Sequence, residues 1–258
     1  MRFKQQPDDI LKKLGIYEPE DIDLDLVAYS LNADVKRTAL SDFEGNIIGT
    51  NEKAIITVNN NADPRRQRFS LGHELGHWIN DRGNNLTYRC DSSDMRQRKM
   101  SKDSFRQQKE VRANQFSAEL IMPNHILSRY LDNIDITTDS VNYLSNVFDV
   151  SLTSTAIRFV EVSSYPCMIV CWDKSGNRKW FSRNTLVPDY IWPQAKIMQP
   201  SEAFVLSNGL EVDANKWINH EDSEDYSVIE SVFSNSYDVF SLIWWKDESY
   251  LNIYQDKI

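Results

Sequence analysis

A predicted helix with two glycines in its middle is the sequence feature that most constrains this fold. Asp63 and Pro64 mark its start, since aspartate caps helix N-termini and proline suits the first helical position. We expect the helix to run from about 64 to 80, where apolar residues recur at helical spacing. Gly72 and Gly76 lie well inside it, and each costs about 1 kcal/mol relative to alanine. That cost predicts another element packed closely against the helix backbone.

The same helix carries the sequence His-Glu-Leu-Gly-His at residues 73–77. Residues four apart lie on one face of a helix, so His73 and His77 can bind one Zn²⁺ ion at about 2.0–2.1 Å. Glu74 projects to the flank of such a site, where it can take a proton from zinc-bound water and pass it to a leaving amine. The spacing predicts two metal ligands and a general base. The alternative is a pair of ordinary helical histidines.

A catalytic zinc site also needs a third protein ligand and an open position. The best source is a second predicted helix over about 104–121, which contains Glu110 and Asn114. These two share a helix face with Ala113 and Ser117, whose small side chains permit close approach of the first helix. We therefore predict that Glu110 is the third ligand and that Asn114 orients a ligand through a hydrogen bond.

Other polar residues are weaker candidates. Glu119 lies nine positions after Glu110, about 180° around the helix, so both cannot face one metal ion and Glu110 is preferred. Tyr88 and His125 are candidate donors to the oxyanion that forms in a peptidase. His125 and His220 are otherwise expected to be surface or packing residues.

The chain as a whole is predicted to be an α+β protein of two domains. Residues 1–162 would form the first domain, ending in a helix-turn-helix-like segment at 138–162, and residues 163–258 would form a β-rich second domain. Residues 81–103 are polar and are predicted to be a loop. Further helices are predicted at 8–15, 21–32 and 124–132, and strands at 46–48, 54–58, 167–172, 179–181, 203–205, 239–245 and 250–254. The strand at 54–58 is either an edge to which an extended peptide could pair or an ordinary sheet strand.

The composition favours a folded protein in a reducing compartment. A formal net charge of −9 disfavours broad binding to nucleic acid, because a polyanion would be repelled. No apolar run approaches the roughly 20 residues that span a bilayer, and the first residues do not resemble a signal sequence, so we expect a cytoplasmic protein without a membrane partner. Cys167 and Cys171 lie on one predicted strand, about 13 Å apart, and are expected to be buried thiols rather than a disulfide.

Two blocks of the sequence are informative as a pair. The first is Arg68-Phe-Ser-Leu-Gly-His-Glu-Leu-Gly-His77, and the second is Glu110-Val-Arg-Ala-Asn-Gln-Phe-Ser-Ala-Glu-Leu-Ile-Met-Pro123. The first block alone is shared by zinc peptidases generally, but the two together resemble the ImmA/IrrE family of metallo-endopeptidases. The likeness continues through Val147–Val160, which is similar to the helix-turn-helix-like segment of that family. The β-rich tail, with Val239–Trp245, is similar to longer members.

The resemblance implies a compact zincin-like domain in which His73, His77 and Glu110 bind zinc and Glu74 is the catalytic base. It also implies a protein substrate, since members of the family are typically regulators that cleave a partner transcriptional repressor. The substrates vary within the family, so the resemblance does not name the partner.

Two other functions stay open from the sequence. The segment 138–162 could bind DNA, but its second helix carries only Arg158 as a base, with Glu161 nearby, and a recognition helix is expected to carry more. Alternatively, the protein binds zinc and partner peptides without turnover. In either case the β-rich domain could serve regulation or partner docking.

Overall fold

The computed structural model describes residues 3–83, 86–90, 105–132, 134–197, 208–219 and 221–252. The structure is mixed α+β with two sheets, which confirms the predicted class. It divides into two compact units, one formed by residues 1–129 and 147–151 and the other by residues 130–146 and 152–258. The boundary predicted after residue 162 differs from this division, which groups most of the segment 138–162 with the β-rich unit. Among the described helices, none is long and apolar enough to cross a membrane.

The first unit combines helices with a mixed sheet. Its helices are α1 (Pro7–Lys13), α2 (Leu24–Ser30), α3 (Pro64–Asp81), α4 (Phe105–Ile121) and most of α5 (Asn124–Leu131). Its strands are β1 (Ala33–Thr38), β2 (Gly45–Gly49), β3 (Ala54–Asn59) and β4 (Leu86–Cys90). The bounds of α3 and α4 differ from the predicted bounds by one residue each.

β3 is an interior strand of the first sheet. The strand order is β1-β3-β2-β4, with β1 parallel to β3 and the other neighbours antiparallel. Of the two alternatives for residues 54–58, the structure supports the ordinary sheet strand and contradicts the free edge, because β1 and β2 pair with both edges of β3. The sequence did not reveal this order, since β1 is largely polar and β4 lies within the segment 81–103 that is predicted to be a loop.

α3 is the central helix of the first unit. The side chain of Asp63 accepts a hydrogen bond from the backbone N–H of Arg65 at 2.9 Å, which confirms the predicted N-cap. α3 packs against α4 on one side and against β2 and β3 on another. Every residue from Ser70 to Asp81 is buried. The polar side chains in this stretch must therefore find their partners inside the protein.

The two glycines of α3 let α4 approach closely, as predicted. A methyl group added at Gly76 would lie 2.9 Å from Cα of Ala113, and one added at Gly72 would lie 2.5 Å from Oγ of Ser117. Both distances are shorter than the separation of about 3.5–4.0 Å at which carbon atoms pack. The small residues on the facing sides of both helices therefore set the distance between them.

The second unit is built on a five-stranded antiparallel sheet in the order β6-β5-β9-β8-β7. Its strands are β5 (Cys167–Asp173), β6 (Arg178–Arg183), β7 (Leu210–Asp213), β8 (Ser227–Ser234) and β9 (Asp238–Trp244). Its helices are α6 (Thr138–Phe148), α7 (Leu152–Val162) and α8 (Ser249–Asn252). The buried rings of Trp172, Trp217 and Trp245 lie in its core.

The strand predictions for this unit had mixed outcomes. Those that became β5, β6 and β9 are confirmed, and Cys167 and Cys171 are buried on β5 as predicted. The strand predicted at 250–254 is wrong where it is described, because residues 249–252 form α8. The strand predicted at 203–205 lies outside the described residues. β8 was not predicted, since Glu230 interrupts its apolar pattern even though that side chain is buried.

The segment 138–162 forms two helices joined by a short turn, in which Asp149 has a φ of 51°. Arg158 on the second helix is only 6% exposed and lies 3.6 Å from the carboxylate of Glu161. A buried arginine that pairs within its own helix is poorly placed to contact DNA phosphates.

Candidate metal centre

Three side chains from α3 and α4 converge inside the first unit. His73 Nε2 lies 3.1 Å from His77 Nε2 and 3.2 Å from Oε2 of Glu110, and His77 Nε2 lies 3.3 Å from the same oxygen. All three residues are buried. The structure therefore brings together the three ligands predicted from sequence, and they form a group that could hold a metal ion.

These separations fit a small cation. Zn²⁺ binds histidine nitrogens at 2.0–2.1 Å in a tetrahedral arrangement, so neighbouring ligand atoms are expected about 3.3–3.4 Å apart. Nδ1 of His73 faces Oδ1 of Asn114 at 2.8 Å, and Nδ1 of His77 faces Oδ2 of Asp81 at 3.1 Å. Because these oxygens accept hydrogen bonds, each neutral ring carries its proton on Nδ1 and directs the lone pair of Nε2 towards the cluster. Two nitrogen lone pairs and a carboxylate oxygen thus meet at one point, which suits a cation.

Burial and hydrogen bonding together set the charge of the cluster. Burial opposes the charged form of His77, but hydrogen bonds to Asp81 and Glu110 outweigh it and raise the pKa of His77 to about 9. Burial also opposes ionisation of Glu110, yet the hydrogen bonds from His73 and His77 lower the pKa of this carboxyl. Burial lowers the pKa of His73. The surroundings therefore favour an ionised Glu110 beside one positive charge, and a bound metal ion would supply that charge.

Asp81 is a residue of the site that the sequence analysis missed. Besides contacting His77, its carboxylate lies 2.6 Å from the guanidinium of Arg112 and 3.5 Å from Nζ of Lys109, both on α4. These cations hold the carboxylate in place against the imidazole. The available signal was spacing, since Asp81 follows His77 by four residues and shares its helix face. The sequence prediction ends the helix at about residue 80 and assigns Asp81 to the following loop, so Asp81 was not considered as a neighbour of His77.

Replacing Asp81 with asparagine should weaken the binding of added Zn²⁺ about 10- to 100-fold, the usual cost of losing an outer partner of a metal-bound histidine. Asparagine keeps the shape, but its amide can donate to Nδ1 and so favours the tautomer with the proton on Nε2. Competition with a chromogenic chelator measures the dissociation constant of the zinc complex.

Asp149→Asn is the matched control, because Asp149 pairs with Arg65 on the surface at 3.0 Å, and its loss should leave zinc affinity unchanged. Equal zinc affinity in Asp81→Asn and the wild type would contradict this role.

Glu74 lies on the same buried turn as the ligands. Its side chain is 0% exposed, and its charge contributes to the raised pKa of His77, so the carboxylate acts on the cluster electrostatically. On its other side it meets the start of β2, where an added methyl at Gly45 would lie 2.9 Å from Oε1. The predicted base is therefore next to the predicted ligands and is confined by a strand.

The weaker candidates occupy other positions. Glu119 accepts a hydrogen bond from Gln115 at 3.0 Å on the exposed side of α4, which fits the preference for Glu110 as ligand. His125 contacts the carbonyl oxygen of Ile16 at 3.0 Å and the carboxylate of Asp8 at 3.3 Å, so the structure places its ring against the N-terminal segment and not in the cluster. Tyr88 lies on β4, opposite Ile47 in the sheet register. His220 lies outside the described residues.

Comparisons with known proteins identify the family of the chain. The model of the IrrE N-terminal-like domain, peptidase family M78, matches residues 24–160, which is more than half of the chain and includes the whole cluster. No curated protein sequence matches the chain. The fold is similar to the solved structure of a Mycobacterium tuberculosis transcriptional regulator, with a TM-score of 0.58 and 13% identity over 98% of this chain and 78% of that chain. At this identity the similarity concerns the fold alone. On the family match, the chain belongs to the ImmA/IrrE family, peptidase family M78.

Proposed function

We propose that this protein is a cytoplasmic, zinc-dependent endopeptidase with a zincin-like domain, and that it cleaves a regulatory protein such as a helix-turn-helix repressor. The observation that carries the proposal is the meeting of His73 Nε2, His77 Nε2 and Glu110 Oε2 at 3.1–3.3 Å, with Glu74 on the same turn of α3. Family membership supports peptidase chemistry at this site.

The donor set favours zinc over the other common divalent cations. Two imidazole nitrogens and one carboxylate oxygen are the ligands of many catalytic zinc sites, whereas Mg²⁺ and Ca²⁺ select oxygen ligands. Three protein ligands leave a fourth coordination position for water or substrate. When bound, Zn²⁺ would supply a Lewis acid that polarises a peptide carbonyl and makes water more acidic.

The protein groups around this position would transfer the proton and orient the ligands. Glu74, as a carboxylate, would take the proton of the attacking water and deliver it to the amine nitrogen as the peptide bond breaks. Asn114 and Asp81 hold the imidazole rings of His73 and His77 in the orientation that presents Nε2. Because the whole set is buried, each charge acts through a medium of low dielectric constant, in which electrostatic interactions are stronger than in water.

The choice of a regulatory protein as substrate rests on the resemblance to the ImmA/IrrE family. The fold likeness to a protein described as a transcriptional regulator is compatible with a regulatory role. Direct DNA binding by the segment 138–162 is the less favoured function, because Arg158 is buried and paired with Glu161. For the β-rich unit we propose a regulatory or partner-docking role.

The test is to measure zinc content and proteolysis of purified helix-turn-helix repressors by the full-length protein. We expect one zinc per chain, a discrete cut in at least one repressor, loss of cleavage after chelation and recovery when zinc is restored. Bound zinc together with repressor binding but no cut would favour a zinc-containing peptide-binding protein. Sequence-specific binding to duplex DNA that disappears in Arg158→Ala would favour a DNA-binding regulator.

A further inference from the structure

One face of β2 lies against α3 through two glycines. Successive side chains of a strand alternate between faces, so Gly45, Ile47 and Gly49 share one face. Ile47 between them is 0% exposed, and α3 packs against this strand. The glycines therefore occupy two equivalent positions at which β2 has no side chain between its backbone and α3.

The two positions face different residues of α3. A methyl group at Gly45 would lie 2.9 Å from Oε1 of Glu74 and 3.3 Å from its Cγ, whereas a methyl group at Gly49 would lie 3.1 Å from Cζ3 of Trp78. Glu74 and Trp78 are four residues apart, so the same strand-to-helix contact is repeated one turn along α3. At one of these contacts the helix presents the proposed catalytic base, and at the other it presents an apolar ring.

The start of β2 is held in place by its neighbours. The backbone N–H of Asn59 donates to the carbonyl oxygen of Glu44 at 3.0 Å, and its side-chain amide donates to the carbonyl oxygen of Phe43 at 3.1 Å. The carboxylate of Glu44 also lies 3.7 Å from the guanidinium of Arg66 on α3. A side chain added at Gly45 therefore meets an anchored strand on one side and the end of a flexible side chain on the other. The carboxylate of Glu74 is the part that yields.

We propose that Gly45 is a positioning residue for Glu74: its lack of a side chain leaves the space in which the carboxylate is held beside the metal ligands. This inference rests on the proposed function, in which Glu74 carries the proton. It explains why the strand has a glycine where an alanine would keep the same sheet pairing with Val58. Displacing a catalytic group by about 1 Å can cost on the order of 100-fold in rate.

The experiment compares Gly45→Ala with Gly49→Ala in the full-length, zinc-loaded protein. Gly45→Ala should keep zinc content and KM for the repressor while kcat falls about 10- to 100-fold. Gly49→Ala introduces a similar crowding on the same face of the same strand, and it should keep wild-type kcat. In the Glu74→Gln background, Gly45→Ala should cause no further loss, because both changes act through one carboxylate. Wild-type kcat in Gly45→Ala, or an equal loss in both alanine variants, would overturn the proposal.

A crystal structure of each metal-free alanine variant gives a readout that does not depend on activity. The Glu74 carboxylate should be displaced in Gly45→Ala and unmoved in Gly49→Ala. If the wild type cuts no repressor, the proposed function fails, but the carboxylate positions still decide whether Gly45 holds Glu74 in place. An unmoved carboxylate in Gly45→Ala would overturn the positioning role whatever the activity.

Discussion

Replacing Glu74 with glutamine should greatly slow cleavage while zinc stays bound. Glutamine has nearly the same shape and fits the same buried space between α3 and Gly45, but it cannot accept a proton at pH 7. General acid–base catalysis contributes about 10²- to 10⁴-fold, so kcat should fall within that range. Steady-state cleavage of the repressor together with metal analysis of the same sample measures both quantities.

This variant should also trap its substrate. His73, His77 and Glu110 are unchanged in Glu74→Gln, so repressor binding and zinc content are expected to equal those of the wild type. Copurification of intact repressor with the variant checks the first expectation. Full cleavage by Glu74→Gln would show that another group carries the proton, and the mechanism proposed for Glu74 would then be wrong.

α3 serves the site because it lies between two elements with different roles. On one side α4 provides Glu110, and the close approach of the two helices depends on Gly72 and Gly76. On another side β2 confines Glu74 through Gly45. The proposed ligand Glu110 and the proposed base Glu74 are thus positioned by contacts with different elements.

Short-range patterns were sufficient to predict the two helices that carry His73, His77 and Glu110. Asp63 and Pro64 define the start of α3, and the cost of two internal glycines correctly pointed to a close neighbour. Helical spacing alone separated Glu110 from Glu119, and the structure places the two in different surroundings. These features depend on residues a few positions apart, which a single sequence displays directly.

Contacts between distant segments were harder to predict. β3 lies between β1 and β2, and because β1 has no clear apolar alternation, the sequence left open whether residues 54–58 form an available edge or an ordinary sheet strand. Gly45 gave no signal, because its importance comes from a side chain 29 positions later in the sequence. In the second unit, the buried Glu230 made β8 look like a polar segment. In each case the structural role of the residue or strand depends on a neighbour that lies on another helix or strand.

Replacing Glu110 with alanine should remove the metal almost completely. The change leaves two imidazoles without the carboxylate that completes the ligand set. Zinc affinity should therefore fall by more than the loss of about 10- to 100-fold expected when an outer partner such as Asp81 is removed. With free zinc at 100 times the wild-type dissociation constant, binding stabilises the wild type by about 2.7 kcal/mol, and Glu110→Ala should lose this gain in thermal unfolding.

Glu119→Ala is the matched control for this prediction, because it removes a glutamate from the same helix that hydrogen-bonds to Gln115 instead of the histidines. It should keep both the zinc affinity and the stabilisation by zinc. If Glu110→Ala retained zinc unchanged, the third ligand would have to be another residue. If Glu119→Ala lost zinc instead, the assignment of the two glutamates on α4 would be reversed. The pair of variants therefore tests the ligand set independently of any substrate, since the readout is metal binding alone.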